Sequence, residues 1–324
     1  MLTEFNLIER FFNRQQASGQ LTLGIGDDAA VIAPDPGAEL VVATDAIVNG
    51  IHFPVYTPPH AIGYRSLAVN LSDLAAMGAV PRWASLALCL PDADTEWLEQ
   101  FADGFFDLAD IFNVSLIGGD TVSGPLMASV TVHGEVGKGM AVTRSGANEG
   151  DGIYVTGHPG DAVAGRLVEG TNDADHYLAD RFLYPVPRVM EGQALRNVAS
   201  AMIDISDGLH ADLGHVLNQS GLGAELDVAA LPLSNELRSS VGREQAQAMA
   251  LTGGDDYELC FTVPDEHQSQ LQELVDSFDC AVTRIGTCVA TEESEAVWRL
   301  GQNIYQVPDS GFEHFSDEGQ EEAL

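Results

Sequence analysis

The sequence predicts an α/β protein of two domains. Three observations carry that reading. A length of 324 residues exceeds what one hydrophobic core ordinarily serves. Short apolar strand candidates alternate with helix candidates from Ile153 to about residue 290, as in an α/β layer. Between the two halves, Gly150-Asp151-Gly152 reads as a break, which puts the domains at 1–149 and 150–324.

Taken in order, Glu4 to Gln16 has Phe5, Ile8, Phe11 and Phe12 on one face at helical spacing. Leu40 to Thr44 is a short apolar strand that delivers Asp45 at its end. Pro58-Pro59 opens a long helix, expected to break near Gly63, that stops at Gly78. Inside it lies Asn70-Leu71-Ser72-Asp73-Leu74; three weak helix formers among apolar neighbours need a reason, and Asn70 and Asp73 share a face. Trp83 to Leu90 is a strand and Thr95 to Asp110 a helix. Val114 to Ile117 is a buried strand ending at Gly118-Gly119-Asp120, and Met127 to Val136 alternates as another. Ile153 to Thr156, the turn Gly157-His158-Pro159-Gly160 and Asp161 to Glu169 form a strand–turn–helix unit. Gly208 to Val216 is a helix that Ser206 or Asp207 can cap, and the amides at its start suit a phosphate. The acidic tail from Ser316 to Leu324 reads as frayed.

Composition removes several classes of partner. There are 49 acidic residues against 14 basic ones, a formal charge of −35, and Lys138 is the only lysine. Such a surface repels nucleic acid and anionic lipid, so neither is an expected partner. Apolar content of 45% supports a buried core, yet no apolar run approaches the roughly 20 residues of a membrane span. The first residues lack a signal peptide's layout, and Cys89, Cys260, Cys280 and Cys288 show no Cys-x-x-Cys spacing. Reduced thiols in a cytoplasm are the expectation. The acidic excess also predicts a fold that gains stability with salt.

With so few cations, an anionic ligand must be met by metal ions and a handful of arginines. Aspartate beside glycine after an apolar run recurs along the chain: Gly24-Ile25-Gly26-Asp27-Asp28, Thr44-Asp45, Gly118-Gly119-Asp120, Asp204-Ile205-Ser206-Asp207-Gly208 and Gly253-Gly254-Asp255-Asp256. One such pair is ordinarily just a turn. Their repetition suits magnesium, which takes a few carboxylates plus phosphate oxygens. The familiar nucleotide loops do not account for them. Val136-Gly137-Lys138-Gly139 lacks the P-loop's first glycine and its hydroxyl residue. Gly24-Ile25-Gly26-Asp27-Asp28-Ala29 meets the loose dinucleotide fingerprint, but its aspartates would face a pyrophosphate.

These stretches carry a resemblance. Gly26-Asp27-Asp28-Ala29, Thr44-Asp45 with Gly50-Ile51-His52-Phe53, Asn70 to Ala79, Gly118 to Thr121, Thr143 to Gly146, Asp204 to Leu209 and Gly253 to Leu259 resemble the ordered motifs of the thiamine-monophosphate kinases. That family lies in the aminoimidazole-ribonucleotide-synthetase-like ATP-binding superfamily. The resemblance implies the two-domain architecture of that superfamily, with mixed sheets covered by helices. It implies a homodimer whose N-terminal domain binds ATP and magnesium and whose C-terminal domain completes the active site. It also implies the reaction: ATP and thiamine monophosphate give ADP and thiamine diphosphate.

Position by position, the resemblance assigns Asp28, Asp45, Asp73, Asp120, Asp204 and Asp207 to magnesium, with Asp120, Asp207 and Arg144 central to catalysis. Thr44, Gly119, Asp120, Arg144 and Ser206 would meet ATP or its metals, and His52, Asp255 and Phe312 would border thiamine monophosphate. Three positions depart from the family pattern. Ala43 stands where a hydroxyl residue is common, Asp255 replaces a glutamate, and Phe312 is an aromatic without a hydrogen bond. Other readings are another superfamily enzyme or a non-catalytic nucleotide or thiamine-phosphate sensor. The selenium enzyme of the superfamily wants a reactive cysteine near the N-terminus, where the first here is Cys89; the hydrogenase-maturation protein ends in one, where this chain ends Ala323-Leu324.

Overall fold

A computed structural model describes residues 4–14, 20–168, 172–291 and 294–308. The described residues form two compact units, one within Met1–Leu74 and Ala79–Gly139, the other within Ala75–Gly78 and Met140–Glu322. Gln15, Gln16, Glu169, Phe312 and the tail from Ser316, on which expectations fell, lie outside the described residues, as do the side chains of Glu4 and Phe5.

The first unit opens with α1 (Glu4–Leu7), which widens at once into a π-turn, Ile8–Phe12. The amide of Asn13 donates to the Ile8 carbonyl at 3.0 Å. Two adjacent rings of this turn, Phe11 and Phe12, are both buried. A small ribbon, β1 (Leu21–Leu23) and β2 (Val31–Ile32), frames the Gly24 to Ala30 loop. Then come β3 (Ala38–Val48), α2 (Pro59–Ala76), β4 (Val80–Leu90), α3 (Thr95–Ile111), β5 (Ser115–Ser123) and β6 (Met127–Gly137).

The sheet of this unit runs β3-β6-β4-β5, with the last pair parallel and the others antiparallel. One face is buried, by Ala128, Val130 and Val132 on β6 and Leu86 and Leu88 on β4. The other face carries Thr44, Ser129, Thr131, Ser85 and Ala87, with Leu40, Val42 and Val122 exposed.

Two expectations change here. Asp45 lies inside β3 rather than at its end, because β3 pairs with β6 along its whole length, from Ala38↔Gly137 to Val48↔Met127. The long helix α2 is not broken at Gly63. A methyl group at Gly63 would sit 1.9 Å from the Phe101 carbonyl oxygen, and one at Gly104 would sit 1.9 Å from that of His60. Glycine here permits close crossing of α2 and α3; it does not interrupt the helix.

The second unit contains β7 (Gly152–Thr156), α4 (Asp161–Leu167), α5 (Asp173–Leu183), α6 (Val189–Leu195), β8 (Ala201–Asp204), α7 (Leu209–Ser220) and β9 (Gly223–Asp227). It continues with α8 (Asn235–Val241), α9 (Arg243–Thr252), β10 (Leu259–Val263), α10 (Gln268–Val275), β11 (Val282–Val289), β12 (Ala296–Leu300) and β13 (Asn303–Ile304). Its mixed sheet runs β13-β12-β9-β11-β7-β10-β8, with β12 and β9 the parallel pair. Ile203, Leu213, Leu217, Val155, Cys260 and Trp298 meet in its core. The segment from Met140 to Gly150 is tied to this unit, through Thr143 to Met202 and through Gly150 to Cys288.

Below these strands lies a buried charge network. The Glu258 carboxylate, fully buried, receives two bonds from Arg188 at 2.6 Å, one from Arg181 and one from the Thr156 hydroxyl at 2.6 Å. Burial pushes Glu258 up, but Arg188 and then Arg181 outweigh it and hold the carboxyl below its ordinary value. Asp256, also buried, accepts from the amides of Gly160 and Ala162 and thereby caps α4.

Candidate active site

In the first unit the acidic motifs sit on loops and edge strands. Gly26, at φ 119°, bends the chain so that the Asp28 amide donates to the Asp27 carboxylate at 2.8 Å. On β3 the Thr44 hydroxyl meets the Thr131 hydroxyl of β6 at 2.8 Å. Next to it, the Asp45 amide donates to Oδ1 of Asn70 at 2.8 Å, and Nδ2 of Asn70 donates to the Ser66 carbonyl at 3.0 Å. Asn70 is fully buried, so it spends both ends of its amide on backbone groups. Asp73, one turn further along α2, is half-buried.

Asp120 occupies the opposite edge strand, β5, and its own carboxylate accepts from the Thr121 amide at 2.9 Å. Gly119 beside it has φ 149°, and a methyl group there would lie 1.8 Å from the Leu86 carbonyl oxygen. No other residue fits that backbone. Two strands separate β3 from β5, so Asp45 and Asp120 are roughly 14 Å apart by strand spacing within this sheet. His52 closes a tight turn by accepting the Val48 amide on Nδ1 at 3.0 Å. With Nδ1 an acceptor, the ring proton resides on Nε2.

In the second unit the Asp204 to Gly208 loop and the Gly253 to Glu258 loop are stitched together. Ile205 donates to the Glu258 carbonyl and accepts from Tyr257, both at 2.8 Å, and the Asp255 amide donates to the Ser206 carbonyl at 2.9 Å. Asp255 and Tyr257 adopt left-handed backbone, φ 69° and 52°, and the Tyr257 hydroxyl donates to Asp255 at 3.3 Å. Asp212, from the first turn of α7, accepts the amides of Ser206, Asp207 and Gly208 on one oxygen at 3.0, 3.1 and 3.1 Å. Its carboxyl is pushed up to about 7, by burial first and then by the charges of Asp204 and Asp207, against the pull of those amides. Three carboxylates thus crowd one another, and among the described residues neither Asp212 nor Asp207 is paired with an arginine or lysine. Arg144 lies exposed on the loop fixed by Thr143 to Met202, and its carbonyl and the Gly146 and Ala147 amides meet the Ser220 hydroxyl.

Known proteins fix the family. Residues 26–136 match the N-terminal domain, and residues 148–299 the C-terminal domain, of AIR synthase related protein. The thiamine-monophosphate kinase of Escherichia coli is 47% identical to the chain over 321 residues, covering 97% of this chain and 98% of the relative. This chain belongs to the thiamine-monophosphate kinase family. The thiamine-monophosphate kinase structure from Stenotrophomonas maltophilia is similar, with TM-score 0.85 at 46% identity, over 91% of this chain and 96% of that one. So is AaThiL complexed with AMPPCP and TMP, with TM-score 0.76 at 31% identity, over 96% and 97%.

Some of the motif residues come together within each unit: Asn70 of α2 holds Asp45 of β3, and Asp204, Ser206, Asp207 and Asp255 share the stitched loops. Asp120, on the opposite edge strand of the first unit's sheet, is not among them. Among the described residues, no group of three or more histidine, cysteine, aspartate or glutamate side chains is arranged to hold a metal. The donor set itself, carboxylate and hydroxyl oxygens, suits magnesium.

One sequence expectation about α7 is corrected. Neither Ser206 nor Asp207 caps it: the cap position is Gly208, without a side-chain bond. Of the amides expected to suit a phosphate at the helix start, that of Gly208 is held by Asp212, as are those of Ser206 and Asp207 ahead of it. Asp212 belongs to none of the acidic motifs, although an acid in the first turn of a helix is a readable signal. Thr131 had none, since cross-strand register is not written in local pattern.

Proposed function

We infer that this chain transfers the γ-phosphoryl group of ATP to thiamine monophosphate, giving ADP and thiamine diphosphate. The observation that carries this is the 47% identity with a thiamine-monophosphate kinase over 97% of this chain and 98% of that one, with both domains matched. Both reactants are phosphate anions, so catalysis is chiefly charge neutralisation and alignment. Magnesium, when bound, supplies the positive charge that this acidic chain lacks. Asp28, Asp45, Asp73, Asp120, Asp204 and Asp207 would hold it, in keeping with their oxygen chemistry.

The chain's own groups do the rest. Arg144 offers a fixed guanidinium fork to phosphate oxygens. Thr44 and Ser206 present hydroxyls, and Gly119 lets the β5 backbone come close to the nucleotide beside Asp120. His52, Asp255 and Phe312 would border the thiamine monophosphate. No base is required, since the second ionisation of a phosphate monoester lies at about 6 and the attacking oxygen is already charged. Transfer is direct and in line.

A homodimer is part of this reading, supported by the open face of the first unit's sheet, where Leu40, Val42 and Val122 stand exposed. Residues 1–149 serve ATP, metal and dimerisation, and residues 150–324 complete the site. Four free thiols favour a reducing cytoplasm, and among the described residues no helix is long and apolar enough to cross a membrane.

Incubation with ATP, magnesium chloride and thiamine monophosphate, resolved by chromatography, tests the proposal. Thiamine diphosphate should appear in step with ADP. Binding of both ligands without turnover would make the protein a sensor, and turnover of another acceptor alone would make it a different superfamily enzyme.

A further inference from the structure

Every backbone amide from Ile205 to Gly208 is already engaged. Ile205 donates to the Glu258 carbonyl, and Ser206, Asp207 and Gly208 donate to Asp212. On the other side of the loop, the Ile205 and Ser206 carbonyls accept from Tyr257 and Asp255. A methyl group at Gly254 would lie 2.3 Å from the Ser206 carbonyl oxygen, so the two loops are in close contact there. From Ile205 to Gly208 the loop therefore has no backbone amide to offer a ligand. Asp212 is 2% exposed, and its carboxylate's partners among the described residues are these amides alone. An ordinary helix cap precedes the helix. Here the carboxylate belongs to the helix and reaches back to fold the preceding loop around one oxygen.

We propose that Asp212 is a positioning residue for phosphoryl transfer, clamping the 204–208 loop so that Ser206 and Asp207 project at fixed angles. The proposal rests on the assignment of those two residues to the nucleotide site. It predicts that loss of the clamp degrades alignment more than acceptor binding. A misplacement of about 1 Å costs roughly 100-fold in rate.

The test compares wild type with Asp212→Ala and Asp212→Asn. Asparagine keeps an acceptor oxygen at the same reach, so it should restore part of what alanine removes. Two readouts are needed: amide hydrogen exchange across 204–208, and kcat and KM for thiamine monophosphate. Alanine should speed exchange of Ser206, Asp207 and Gly208 while β8 and β10 stay protected. It should lower kcat roughly 100-fold, with KM within about threefold, and asparagine should fall between. Unchanged exchange, or kcat within about threefold of wild type, would overturn the proposal. If the alanine protein does not fold, the asparagine protein decides the matter by the same two readouts: faster exchange with lowered kcat supports the clamp, and wild-type values of either reject it. Wild-type protein that protects these amides yet makes no thiamine diphosphate would defeat the functional assignment and leave the clamp standing.

Discussion

Oδ1 of Asn70 accepts the amide hydrogen of Asp45 at 2.8 Å, from a side chain with no exposed surface. This bond ties β3 to α2 beside two candidate ligands, Asp45 itself and Asp73, which lies one turn beyond Asn70 on α2. Asn70→Ala strands the Asp45 amide and removes the bond to Ser66. A donor that loses its partner costs about 1–3 kcal/mol when buried, and this part-buried one should fall at the low end, about 1 kcal/mol. Urea unfolding should report a loss of that size, and turnover should fall with it. An unchanged midpoint would remove the clamp from α2.

Asp120→Asn and Asp207→Asn remove charge without changing shape. Asp120 is exposed and Asp207 half-buried, so the melting temperature should hold. Turnover should drop by about two to three orders of magnitude, the usual scale for a lost electrostatic contact to the transition state. Steady-state kinetics at saturating magnesium checks this. Near-normal rates in both variants would exclude the metal assignment.

Glu258→Gln tests the buried network of the second unit. Removing one partner of such a pair costs about 3–5 kcal/mol, because Arg188 and Arg181 are left with an uncompensated charge. The pH dependence has a definite sign. Glu258 is held below its ordinary value of 4.5, so its stabilisation is complete above that pH and is lost as pH falls through the lowered value. The gap in unfolding free energy between wild type and variant should therefore be flat above pH 5, roughly, and close in more acidic buffer.

Gly119→Ala places a methyl group against the Leu86 carbonyl oxygen on a backbone at φ 149°. Backbone strain and overpacking together should cost about 2–4 kcal/mol. Calorimetry of the variant beside Gly118→Ala, where no atom lies within 4 Å of the added carbon, isolates the effect.

Salt should stabilise the wild-type fold. With a formal charge of −35, self-repulsion is relieved as the Debye length shrinks from about 10 Å at 0.1 M to 3 Å at 1 M. A melting temperature that does not rise between dilute buffer and molar potassium chloride would contradict the expectation.

Much of the fold was legible in the sequence because strands such as Met127 to Val136 alternate cleanly, and α3 has both an apolar face and a capping aspartate, Asp94. The errors have a common physical source. Gly63 looks locally like a helix break, whereas its role is set by a helix distant in sequence. Asp45 looks like a strand end because an aspartate resembles punctuation, while pairing with β6 carries the strand through it. The motifs named the residues of the candidate site. They could not show that Asn70 and Asp212 hold those residues by backbone bonds, since such bonds depend on tertiary distance alone.

Gly63 and Gly104 each seat against the other helix's main chain, and α2 carries Asn70 and Asp73. A methyl group at Gly104, on a helix that supplies no candidate ligand, would pry α2 outward and take both side chains with it. A genetic screen for inactive enzymes should accordingly recover lesions in α3, a stretch that none of the acidic motifs enters.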